Sequence, residues 1–157
     1  MDTRSPIPVP RSPFSYEIPA TRERVGELFD DHSPLEELPD GMERQDFIDG
    51  FMSADATYAV MIDGRLAGVA AVWDASEGRT MCFTKTSYLT SARRVTFARG
   101  IPQLLADLAD AERRRGAAGP MYMHTPDGDD RSRAWFARAG CEETDCGLLC
   151  PDSERRD

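Results

Sequence analysis

Two strand-like runs, TYAVMI and LAGVAAVW, fill most of Ala56 to Trp73 and are separated only by Asp63-Gly64-Arg65. Asp-Gly between β-prone runs predicts a tight hairpin, because both central turn positions want positive φ. A short strand is expected next, at about Thr80 to Lys85. The following helix is long: Phe97, Ala98, Ile101, Leu104, Leu105 and Leu108 keep 3.6-residue spacing. That phase runs straight through Gly100 and Pro102, which favours one kinked helix, with Pro102 as first residue of a second helix the alternative. Gly116 and Gly119 stop it. Pro120 to Thr125 reads as an apolar strand, Asp127 to Ala139 as a last helix stopped by Gly140, and Glu143 to Leu149 as a final strand.

Upstream of the hairpin, Phe14 to Ile18 alternates like a strand. Pro19 and Thr21 then open a helix carrying Val25, Leu28 and Phe29 on one face. His32 to Gly41, proline-containing and acidic, is a loop. A second helix from about Met42 turns Phe47, Ile48, Phe51 and Met52 inward. The element order β-α-α-β-β-β-α-β-α-β predicts an α/β fold of one mixed sheet with helices on both faces. The opening RSPIPVPRSP, with prolines at 6, 8, 10 and 13, reads as an extended arm. The expected organisation is thus an arm over 1–13, a single domain over 14–150 and a polar tail over 151–157. A chain of 157 residues suits one core rather than two.

Charge is distributed unevenly. The formal net charge is −9, and residues 1–60 hold 13 acids and 5 bases. Gly78 to Ala106, in contrast, contains Arg79, Lys85, Arg93, Arg94 and Arg99 and no acid. The acidic excess argues against general nucleic-acid binding, since polyanions are repelled at long range. The cationic stretch falls at a strand-to-helix junction, where ligand crevices form in such sheets. It suits either a phosphate group or a solvated face that contacts protein. No apolar run approaches a membrane span, and no signal region is apparent, so a cytoplasmic, non-secreted protein is expected. Cys82, Cys141, Cys146 and Cys150 form no C-x-x-C pair, and His32 and His124 lie far off, so no metal site is expected. Reduced, mostly buried thiols are the expectation.

The order of elements, ending in a helix and then Trp135-Phe136-Ala137-Arg138-Ala139-Gly140-Cys141, resembles the GNAT N-acetyltransferase superfamily over residues 14–149. The resemblance implies that the backbone of the fourth strand and the start of the next helix cradle acetyl-CoA. Phe83, Thr84, Lys85, Arg93, Arg94 and Arg99 are the corresponding cofactor-binding candidates. A narrower resemblance is to GNAT-like internal virion or assembly proteins of short-tailed phages. It rests on the acidic Asp30-Asp31 to Glu37 segment, Asp63-Gly64, Phe83-Thr84-Lys85-Thr86, and Arg133-Ala134-Trp135-Phe136 before Gly140. This branch implies a protein of the host cytoplasm or virion that contacts phage structural proteins through the arm or the basic helix face.

Departures from the superfamily pattern bear on activity. The cradle normally needs closely spaced glycines after a Gln or Arg, whereas this chain reads TSYLTSARRVTFARGIP. The tyrosine that protonates the departing thiolate in the superfamily corresponds here to Phe136, which has no proton to give. Tyr122 and Ser132 are the candidate replacements. His124 is the candidate general base, since it ends a strand at the crevice edge and imidazoles titrate near neutral pH; a purely structural histidine is the plain alternative. These departures favour a GNAT-fold assembly protein with weakened catalytic motifs, the alternative being an active acetyl-CoA-dependent N-acyltransferase acting on an amine.

Overall fold

The structure is a computed structural model describing residues 12–29, 43–86, 91–124, 130–145 and 147–150, with Phe29 and residues 91–93 described by backbone alone. The Asp63-Gly64 turn forms as expected, with φ of 53° and 76°. It joins β2 (Ala56–Ile62) to β3 (Arg65–Ala75), and β4 (Gly78–Lys85) pairs antiparallel with β3. β1 (Phe14–Glu17) adds to the outer side of β2, while β5 (Met121–His124) runs parallel to β4. The final segment departs from the expected single strand. It is a hairpin of β6 (Glu142–Thr144) and β7 (Gly147–Leu149), closed by a 2.7 Å hydrogen bond from the Thr144 hydroxyl to the Gly147 carbonyl. Gly147, at φ 127°, supplies a backbone geometry that favours glycine. The seven-stranded mixed sheet has the order β1-β2-β3-β4-β5-β7-β6.

Helices cover both faces. α1 (Arg22–Gly26), capped by the Thr21 hydroxyl accepting from the Arg24 N–H, continues into a short 3-10 turn over Glu27–Phe29. With α2 (Arg44–Met52), it buries Val25, Leu28, Ile48 and Phe51 against Ala59, Met61, Val69 and Ala71. The opposite face packs Tyr58, Val60, Ile62, Ala70, Val72, Met81 and Phe83 under α3 (Ser91–Arg114) and α4 (Asp130–Arg138). Residues of β2 alternate strictly between the two cores, as a strand of period 2 buried on both faces must. α3 is one helix through Pro102, 24 residues or about 36 Å long. The buried stripe Phe97, Ile101, Leu104, Leu105 and Leu108 lies on both sides of the proline. Its burial outweighs the roughly 3 kcal/mol an interior proline costs. Residues 30–42, including the acidic loop, and the arm and tail expected over 1–13 and 151–157, apart from Ser12 and Pro13, lie outside the described residues.

A β-bulge sits where Val60 pairs with Gly68 and Met61 with Leu66. The inserted residue shifts the phase of β3: Leu66 faces the α1/α2 core, Ala67 the other, and Val69 faces the α1/α2 core again. Gly68 has no room for a side chain, as an added Cβ would lie 2.6 Å from Phe83 Cζ and 2.8 Å from the Thr84 carbonyl oxygen. Gly68→Ala should therefore cost about 1–3 kcal/mol, the range for overpacking a filled site, read as a lower urea midpoint with an unchanged slope. An unchanged midpoint would mean that β3 and β4 separate freely there.

Candidate functional site

Pairing between β4 and β5 covers Arg79 to Cys82 against Met121 to His124. β4 then continues for three residues, Phe83, Thr84 and Lys85, still paired with β3. At the end of β5, His124 stands level with Cys82. Thr86 fixes the end of β4. Its N–H donates to the Ala67 carbonyl at 2.8 Å, and its buried hydroxyl lies 3.3 Å from the carbonyl oxygens of Leu66 and Ala67. The bulge in β3 thus presents carbonyls that hold the chain as it leaves the sheet for α3. No local pattern in the sequence marks Thr86 for this task, because its partners are twenty residues upstream.

The expected cofactor-binding residues divide into distinct groups. Phe83 is 1% exposed, stacked on Phe97 at 5.6 Å and edge-on to Phe136 at 5.8 Å, so its side chain belongs to the core and only its backbone is left to serve a ligand. Thr84 and Lys85 are half-buried at the end of β4, Arg94 is half-buried in the first turn of α3, and Arg99 is exposed further along. The side chain of Arg93 and residues 87–90 lie outside the described residues. Arg79, counted with these cations in the sequence, is committed elsewhere. Its guanidinium is 4% exposed, donates to Glu112 Oε1 at 2.9 Å and to the Gly119 carbonyl, and so forms part of the interior.

The candidate acid–base residues are separated as well. Met121 and Met123 enter the α3/α4 core, which turns Tyr122 and His124 to the other face of the sheet. The Tyr122 ring approaches Gly78, with Cε2 3.3 Å from an added Cβ there. Gly78 begins β4, roughly 16 Å before Phe83 at 3.3 Å per residue, so this ring lies at the opposite end of β4 from Phe83, Thr84 and Lys85. His124 is half-buried, and its imidazole lies over Gly147 of β7. An added Cβ at Gly147 would sit 2.9 Å from both Cε1 and Nε2. Gly147 therefore makes the space the imidazole occupies, a role invisible in the sequence because it depends on β7 lying beside β5. Ser132 is buried in α4, and Phe136 is fully buried. Burial pushes the Cys82 thiol up, which lowers its thiolate fraction and its use as a nucleophile.

Trp73 and Trp135 are aromatic packing residues, edge-on to Phe51 at 6.5 Å and tilted on Phe97 at 5.6 Å respectively. Among the described residues, no three His, Cys, Asp or Glu side chains gather as a metal site would require. Nor, among them, is any helix long and apolar enough to cross a membrane.

No protein-family model matches the chain. No curated protein matches it either. Solved structures do. The ribosomal-protein-alanine N-acetyltransferase of Brucella melitensis biovar Abortus 2308 is 15% identical, with a TM-score of 0.53 over 84% of this chain and 93% of that one. A predicted acetyltransferase of Clostridium acetobutylicum, solved with acetyl-CoA, is 11% identical, with a TM-score of 0.52 over 84% and 92%. At such identities the likeness speaks to architecture, and it agrees with the mixed sheet and four flanking helices: this chain has the fold of the GNAT acetyltransferases.

Proposed function

We propose that the protein is an acetyl-CoA-dependent N-acyltransferase acting on an amine-bearing substrate. One observation carries this reading: among the described residues, β4 extends three residues beyond its pairing with β5, whose last described residue is His124. The backbone of Phe83, Thr84 and Lys85 is where the amides of an extended CoA arm would align. The start of α3, with no acid in its first turn and Arg94 nearby, suits phosphate. These features fit acetyl-CoA without the glycine-spaced cradle. When bound, the cofactor supplies an acyl group already activated as a thioester.

Within this reading His124 accepts the proton that the amine loses as the amide forms. Its ring is held over Gly147 at the end of the described strand, where a substrate amine reaching the end of β4 passes close by. Phe136 has no polar atom and no part in protonating the departing thiolate. The expectation of a phage structural protein draws no support from likenesses to enzymes.

Acetyl-CoA at ~100 times its Kd should stabilise the fold by about 2.7 kcal/mol. For a chain of this size that is roughly 5–10 °C in Tm, measurable by scanning fluorimetry. No shift at millimolar acetyl-CoA, together with no acetylation of a panel of primary amines, would overturn the reading and leave a non-catalytic protein of this fold.

A further inference from the structure

Cys141 and Cys150 flank the β6–β7 hairpin. The ladder pairs Glu142 with Leu149, so one further step in register sets Cys141 opposite Cys150. Neither amide bonds across this pair. The Cys141 N–H donates to the Phe136 carbonyl at 3.1 Å, and the Cys150 N–H to the Met121 carbonyl at 2.9 Å. A cross-strand pair lacking its own backbone hydrogen bonds is the narrow kind, with Cα atoms about 4.5 Å apart. That is within the roughly 4.4–6.8 Å a disulfide spans. Both side chains enter the α3/α4 core, 6% and 3% exposed, and the two thiols hydrogen-bond to each other.

We propose that Cys141 and Cys150 are a redox modification site, forming a reversible disulfide that closes the open end of the β6–β7 hairpin. The oxidant is a small-molecule disulfide such as oxidised glutathione. One protein thiolate attacks a sulfur of that disulfide, forming a mixed disulfide and releasing one small thiol. The second protein thiol, losing its proton, displaces the other. Two protein thiols are thereby oxidised, and one small disulfide is reduced to two thiols. The hydrogen bond between the two thiols favours one thiolate of the pair, which is the form that attacks, while it and burial push the other thiol up. The sequence leaves this pair hidden, since nothing local shows that residues nine apart face each other.

The test uses the full chain carrying Cys82→Ser and Cys146→Ser, equilibrated in glutathione buffers of rising oxidised fraction. Intact mass should show a species two hydrogens lighter, without bound glutathione, restored by dithiothreitol. It should melt roughly 5 °C above the reduced protein, as expected for a short crosslinked loop. A further Cys150→Ser substitution should abolish the lighter species. Glutathione carried on separate thiols would overturn the proposal, as would two free thiols in a buffer that crosslinks the urea-unfolded chain. If the double variant does not fold, peptide mapping of the oxidised wild-type chain decides: a Cys141–Cys150 crosslink supports the proposal, and a bridge to Cys146 in its place refutes it.

Discussion

Glu112→Gln should destabilise the protein by about 3–5 kcal/mol, the cost of removing one partner from a buried ion pair. Glu112 is 1% exposed. It accepts from Arg79 at 2.9 Å, from Arg115 at 2.7 and 2.8 Å, and from the Tyr58 hydroxyl. Glutamine keeps the shape but leaves the buried Arg79 guanidinium without its counter-charge. Asp74, 46% exposed at its side chain, also accepts two bonds from Arg115, yet Asp74→Asn should cost under about 1 kcal/mol because water screens that pair. Urea unfolding of both variants checks the contrast; equal small losses would show that the buried pair adds little.

The same group sets a pH dependence. Burial pushes the Glu112 carboxyl up, but the bonds from Arg115, Tyr58 and Arg79 outweigh burial and hold it below its ordinary value of 4.5. A carboxyl depressed in the folded state contributes stability that is fully present above its unfolded value and is lost as pH falls through the folded one. Wild-type stability should therefore fall as pH drops below about 4.5, and Glu112→Gln, already less stable, should show a flatter dependence there, so that the gap between the two narrows in acid.

His124→Gln should lower kcat/KM for amine acetylation by about 10²–10⁴-fold, the usual contribution of a positioned general base. Glutamine fits the half-buried position, so Tm should stay within a few degrees of wild type. On the proposed reading the acetyl-CoA-induced shift in Tm should persist, because that reading assigns the ring to the amine and not to the cofactor. A His124→Gln enzyme with wild-type kcat/KM would remove His124 from the chemistry while leaving the acyltransferase reading intact. Tyr122→Phe is the control. Its ring lies at the Gly78 end of the strand pair, and activity should change less than about threefold, well under one pKa unit's worth of interaction.

Much of the fold was legible in local signals. Asp63-Gly64 determined the central hairpin because few dipeptides tolerate two positive φ values, and the stripe from Phe97 to Leu108 determined α3 across its proline. Thr21 and Gly140 marked a helix start and a helix end. The terminal hairpin was not legible: Asp145-Cys146 lacks the residues that announce a tight turn, and Gly147 takes its meaning from the strand beside it. The β4–α3 junction could be read from element order, but the burial and partners of its residues could not.

The sequence by itself determined the strands up to β5, the helices, their order and the cationic run, since periodicity, capping and turn chemistry act over a few residues. Only the tertiary structure decided that Arg79 belongs to Glu112 rather than to a ligand, that Phe83 faces the core, and that Tyr122 and His124 point to different ends of one sheet face. It alone brought Gly147 under His124 and Cys141 opposite Cys150. Such facts depend on which strands become neighbours, and that is settled by burying two apolar faces at once across the whole chain, not by any short segment of it.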